Sequence, residues 1–123
     1  MGERGNISGV FMNLCSFTGF LADDPTLKTV NGVSVVNFTL VTYSYRRAKS
    51  TGEKSRMPAF LQCEAWHTGA ETISKFARKG SKLSIFASAR NASKENRQVV
   101  FRVNEFDFSN TEDSDFVSGE KNA

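Results

Sequence analysis

Two stretches that alternate apolar and polar residues, separated by a cation-rich segment, leave this chain few ways to fold. The first is Val33 to Tyr45, VSVVNFTLVTYSY; the second is Ala59 to Trp66, AFLQCEAW; between them lies a basic hairpin loop, RRAKSTGEKSRMP. A strand sends alternate side chains to opposite faces, so parity tells which residues share a face. In the first stretch Phe38 and Leu40 share one face, with Val36 before them. The opposite set is Asn37, Thr39, Val41, Tyr43 and Tyr45. In the second, Leu61, Cys63 and Ala65 suit a core, which leaves Phe60, Gln62, Glu64 and Trp66 outside it. That second set alternates aromatic and polar residues, a pattern that suits neither a dry face nor a purely solvated one.

Aromatic rings on a wet sheet face can stack on unpaired bases, because every base has a π-face. The ordinary alternative is that Phe60 and Trp66 pack beneath a loop or in a subunit contact. Parity alone does not separate the two readings. The intervening segment does, because Arg46, Arg47, Lys49, Lys54 and Arg56 stand there against Glu53 alone. Cations bracketed by exposed rings suit phosphates and bases together. Thr51-Gly52 supplies the turn.

The net charge of +3 conceals a division. Through residue 104 the chain carries fifteen Lys and Arg against seven Asp and Glu; after it, one against six. A basic body with an acidic end fits a protein that binds polyanions and keeps its tail off the ligand. Cys15 and Cys63 sit in apolar patterns without CxxC spacing, and read as reduced core residues. No cofactor or metal is expected, since zinc centres need several ligands in recognisable spacing. No apolar run approaches the roughly 20 residues that cross a membrane. The expected location is the cytoplasm. His67, the one histidine, lies beside a turn with no nucleophile or phosphate-binding Gly loop in support, so an enzyme is not expected.

In chain order, residues 1–11 are Gly-rich and read as a mobile extension. A strand is expected from Met12 to Leu21, with Gly19 marking a bulge or a close backbone approach. Asp23-Asp24-Pro25 ends it. A short strand, Thr26 to Val30, turns through Asn31-Gly32 into the central pair. After Trp66 the period changes. Thr68-Gly69-Ala70-Glu71 matches a capping box, and Ala70, Ile73, Phe76 and Ala77 make one apolar helical face. Arg78-Lys79-Gly80 supplies the helix stop. Strands follow over Lys82 to Arg90 and Arg97 to Phe108, joined by the polar loop Asn91 to Asn96. Residues 110–123 lose the apolar pattern and are expected to form a short acidic disordered tail. Five strands, the first bent in two, with one α-helix between strands 3 and 4, is the order of a mainly β OB-fold Greek-key barrel over residues 12–109.

These residues resemble the bacterial and phage single-stranded-DNA-binding protein family. The resemblance runs from Met12 to about Phe108. It is carried by Met12-Asn13, Phe17-Thr18-Gly19-Phe20-Leu21 and Asp24-Pro25, and then by Asn31-Gly32 with Val36-Asn37-Phe38-Thr39-Leu40. Phe60-Leu61-Gln62-Cys63-Glu64-Ala65-Trp66, Ala70-Glu71, and Phe76 ahead of Arg78-Lys79-Gly80-Ser81 continue it. The resemblance implies sequence-tolerant binding of single-stranded DNA in replication, recombination or repair, by a homotetramer, with a dimer as runner-up. Replication or recombination proteins are the further partners it implies. Its stacking positions fall on Phe60 and Trp66; a third falls on Arg46, where Tyr43 and Tyr45 take over part of the role. Its phosphate contacts fall on Lys49 and Lys79, and Arg90 joins the cationic set. The segment Asn91–Asn96 lacks the aromatic that some relatives place there, so fewer contacts are expected from it.

Two departures stand out. Phe20 and Phe86 occupy positions usually polar in the family and face away from the core; they read as subunit contacts or extra stacking platforms. The tail lacks the terminal proline and phenylalanine with which relatives recruit repair proteins, so recruitment through it is not expected. A phage, plasmid or mobile-element origin is consistent with this. The competing reading is an OB-fold protein that binds RNA, or a primosome-like protein that bridges partners; contacts to the 2′-hydroxyl decide the first of these.

Overall fold

The computed structural model describes residues 9–108. The expectations for residues 1–8 and for the acidic tail lie outside that range. Six strands and one helix follow one another: β1 Cys15–Leu21, β2 Thr26–Val30, β3 Val33–Arg47, β4 Lys54–Trp66, α1 His67–Phe76, β5 Lys82–Asn91 and β6 Val99–Asp107. Around the sheet the order is β1, β5, β6, β4, β3, and pairing of β1 with β3 closes five of the strands into a barrel. The β4–β6 pairing is parallel; the other pairings are antiparallel. This is a mainly β OB-type barrel.

β2 is the second half of a bent first strand. One edge of β3 pairs with β2 from Val33 to Asn37 and with β1 at Leu40 and Val41. Across the bend the Ala22 N–H still donates to the Thr39 carbonyl, at 2.9 Å. Asp23-Asp24-Pro25 therefore interrupts one strand rather than separating two. Asn31 and Gly32 both have positive φ, 53° and 80°, the conformation that a two-residue hairpin turn between twisted strands requires.

β1 starts at Cys15, three residues later than the alternation predicts. Before it, the Asn13 side chain imitates a strand. Its Nδ2 donates to the Ala89 carbonyl and its Oδ1 accepts from the Ala89 N–H, both at 2.8 Å. Gly19 is the expected close approach. A Cβ there would lie 2.1 Å from the Val41 carbonyl oxygen, at the point where β1 leaves β5 and closes the barrel on β3.

The core follows the predicted faces: Val36, Phe38, Leu40, Cys63 and Ala65 join Leu21, Leu83, Ile85, Ala87 and Phe106 in one buried cluster. Leu61 packs against it partly buried. Burial pushes the Cys63 thiol up to about 12, against a smaller opposing effect from the Leu40 backbone, so that sulfur is inert at neutral pH.

α1 covers the barrel with Ala70 and Ile73, joined by Ala77 just past its end, all fully buried. Full burial of Ile73 alone contributes roughly 1.5–3 kcal/mol. Two details of the helix differ from expectation. The capping box does not form: the helix begins one residue before Thr68, no side chain caps it, and Glu71 instead accepts from Ser34 Oγ at 2.9 Å. β4 runs straight into α1 through His67 at φ 61°, and this corner displaces Thr68 from the capping position. Phe76 is exposed rather than core-facing, because the chain turns extended at Ala77; its ring meets the edge of Phe108. Arg78 does act at the helix end, where its Nη1 donates to the carbonyls of Ser74 and Ala77.

Candidate nucleic-acid interface

The segment between the alternating stretches is mostly strand, not loop. β3 and β4 stay in register out to Arg47 opposite Lys54, and only Ala48 to Glu53 form the tip. The tip is closed by the Ala48 N–H on the Glu53 carbonyl and by Arg47 Nη1 on the Gly52 carbonyl, each 2.9 Å. Beyond Val41 on β3 and before Phe60 on β4 the two strands pair only with each other, so they form a two-stranded arm. Alternation fails to reveal this arm because it buries nothing; backbone hydrogen bonds and cross-strand pairs hold it.

On one face of the arm the structure gathers Tyr43, Tyr45, Arg47, Lys54, Arg56 and Phe60 by register. Rings and cations interleave there. The Arg56 guanidinium lies 4.4 Å from the Tyr43 centroid and Lys54 Nζ lies 5.2 Å from that of Tyr45. At exposed sites such contacts contribute about 0.5–1 kcal/mol each. Phe60 is 62 % exposed and free of such a cation partner among the described residues. Arg46, paired with Ser55, has the opposite parity, and Lys49 sits at the tip. These two cations do not share the aromatic face.

The same face continues onto the barrel. Phe20 on β1 is in register with Val41 on β3, which is in register with Phe60 on β4. Strands lie about 4.8 Å apart, so Phe20 and Phe60 stand roughly 10 Å apart on one outward row. Lys79 is held at the near end of this row: its N–H donates to Asp24 Oδ1 at 2.8 Å, and the next N–H, of Gly80, donates to the Leu21 carbonyl. Phe86 lies two strands from β3, opposite Ser16 and beside the register shift in β5. It is 48 % exposed and outside the row.

Trp66 stands six residues along β4 from Phe60, roughly 20 Å at strand rise. Between them Glu64 is 3 % exposed, although parity puts it on the outward face. Two arginines cover it. Arg90 grips it bidentately, with Nε and Nη2 each 2.6 Å from a carboxylate oxygen, and Arg102 Nε donates at 3.2 Å. Arg90 also donates through Nη1 to the carbonyls of Asn91 and Ala92, which commits it to the fold. The Arg102 guanidinium lies 5.4 Å from the Trp66 ring centroid. The Trp66 indole N–H is buried without a hydrogen-bond partner in good geometry, facing the Glu64 carboxylate whose charge it favours.

Burial works to raise the Glu64 pKa, but the hydrogen bonds from Arg90 and Arg102, the indole N–H of Trp66 turned toward the carboxylate, and the Arg90 charge outweigh it and hold the carboxyl below its ordinary 4.5. The unfolded chain therefore takes up this proton first as pH falls. The stabilisation is present above about 4.5 and is lost as pH drops through the depressed folded value. Urea midpoints measured from pH 6 to pH 3 are expected to fall less steeply in Glu64→Gln than in the parent. Equal slopes would contradict this role for the carboxylate.

Sequence reasoning missed Arg102. Its partner across the sheet is Glu64, through the parallel β4–β6 pairing. That pairing joins residues far apart in the chain, and no local pattern announces it.

The profile of the Single-strand binding protein family matches residues 12–108. A protein of Halalkalibacterium halodurans named single-stranded DNA-binding protein is 32% identical over 88 residues, covering 71% of this chain and 51% of its own. One of the same name from Bacillus cereus is 37% identical over 71 residues, covering 57% of this chain and 40% of its own. The chain thus spans about half the length, or less, of these curated relatives. Among solved structures, a deletion mutant of the single-stranded DNA binding protein from Thermus aquaticus superposes with a TM-score of 0.71 at 16% identity, over 84% of this chain and 53% of that one. The Plasmodium falciparum protein in complex with single-stranded DNA gives 0.67 at 19% identity, over 82% of this chain and 96% of that one. At these identities the structures speak for the fold.

Proposed function

The chain belongs to the single-strand binding protein family, and on that premise we propose that the face running from the arm onto the barrel binds single-stranded DNA without sequence preference. The observation that carries this reading is the interleaving of rings and cations on one exposed face: Tyr43, Tyr45 and Phe60 with Lys54 and Arg56. Cations attract the strand by displacing its counterions, and rings hold bases by stacking. Phe20 extends the row that Phe60 begins, which favours stacking over subunit contact for this residue. Arg47, Lys49 and Lys79 line the approach, and Arg46 contacts a strand only where it passes the back of the arm. The process served is replication, recombination or repair.

Self-association as a homotetramer goes with this reading. Val10, Phe11, Met12 and Leu14 ahead of β1 are 72–90 % exposed, and with Phe86 they offer apolar surface for a second copy. Among the described residues no helix is long and apolar enough to cross a membrane.

Trp66 is the only tryptophan, so its emission reports one end of the face. Titration with oligo-dT is expected to quench it, duplex DNA of equal length to leave it unchanged, and the log–log salt dependence to slope by about −0.7 per neutralised phosphate. Salt-insensitive binding would sink the reading. Equal affinity for an RNA of matching sequence would count against a dedicated DNA role.

A further inference from the structure

We propose that Arg102 is a phosphate-binding residue at the Trp66 end of the face, held ready by Glu64 as a positioning residue. The inference rests on the single-strand reading above. It starts from the unequal use of two arginines that share one carboxylate. Arginine has five N–H donors. Arg90 directs all three of its nitrogens into the protein, to Glu64, Asn91 and Ala92. Arg102 directs Nε alone, to Glu64 Oε2. Among the described residues its Nη1 and Nη2 have no hydrogen-bond partner, and its side chain is 47% exposed.

The guanidinium is nonetheless fixed. Its inner edge is hydrogen-bonded to a buried carboxylate and its Cζ lies over the Trp66 ring, 5.4 Å from the centroid. A rotamer-rich side chain that is already ordered loses less entropy on binding than a free one. The outer fork of an arginine matches the oxygens of a phosphate. Charge points the same way, since two guanidinium groups around one ionised carboxylate leave one positive charge in excess. Arg90 consumes its share in a bidentate pair, so the excess resides on the fork that faces solvent. A strand with a base on the open part of Trp66 thereby meets a cation one side chain away.

The test is oligo-dT affinity against salt for the parent, Arg102→Gln and Arg102→Lys. One phosphate contact on a single strand corresponds to a slope change of about 0.7, and thus to about fivefold in affinity at 0.1 M salt and none at 1 M. Arg102→Gln is expected to show that loss, and Arg102→Lys to keep the slope. A loss equal at all salt concentrations, or an unchanged slope, overturns the role of Arg102. In a Glu64→Gln background the decrement from Arg102→Gln is expected to fall below about half, because the fork is no longer aimed. An undiminished decrement overturns the role of Glu64. Failure of the parent itself to bind oligo-dT overturns the single-strand reading, and this inference with it.

Discussion

Replacing Gly19 with alanine is expected to lower the melting temperature by roughly 12–24 °C. The added Cβ would stand 2.1 Å from the Val41 carbonyl oxygen and 2.8 Å from its carbon. Both are backbone atoms in the rung that closes the barrel, Phe20 opposite Val41, so no flexible side chain can move aside. Overpacking costs about 1–3 kcal/mol in ordinary cores, and this contact belongs at the upper end. Each kcal/mol moves the midpoint of a domain near 100 residues by about 4–8 °C. Gly69→Ala makes the internal control. It lies in α1, its Cβ would meet Phe106 at an ordinary 3.7 Å, and alanine is the better helix former, so a small rise is expected. A Gly19→Ala chain melting within about 3 °C of the parent would mean that β1 does not close on β3 as described.

The second large effect concerns binding. Phe60→Ala is expected to weaken oligo-dT binding by about 1–3 kcal/mol, roughly 5- to 150-fold, with the same factor on oligonucleotides of other composition. Trp66→Ala is expected to fall toward the lower end of that range, since Arg102 already lies over its ring. Tyr43→Ala should cost less, since Arg56 already lies against that ring and a base must share or displace it. Circular dichroism checks that each variant folds. Unchanged affinity in a folded Phe60→Ala protein would remove the arm from the binding face. A strong dependence on base identity would point to edge recognition rather than stacking.

Much of this architecture is legible in local pattern. Faces of β3 and β4 follow from period-two alternation because one side of each strand is buried in a single core. The Asn31-Gly32 turn follows from the positive φ that few residues accept. Gly19 stood out because a strand interior rarely keeps a residue with nothing to pack. The arm was less legible, since its outer rungs bury no apolar side chain and leave no hydrophobic signature. The helix start is not legible because β4 turns directly into α1 at His67, with φ 61°, and Glu71 accepts from Ser34, 37 positions away in sequence, rather than reaching back to Thr68.

The sequence by itself determined the barrel, the bent first strand, and the ring-and-cation character of one surface. These rest on interactions between near neighbours, or on burial patterns that each strand carries alone. Tertiary structure alone decided which charges are free. Arg90 and Arg102 look alike in sequence, yet one is committed to Glu64 and two carbonyls while the other turns its fork outward. It also decided that Phe20 joins the row of Phe60 and Phe86 does not. Register between distant strands sets both outcomes, and register is a property of the closed sheet rather than of any one segment.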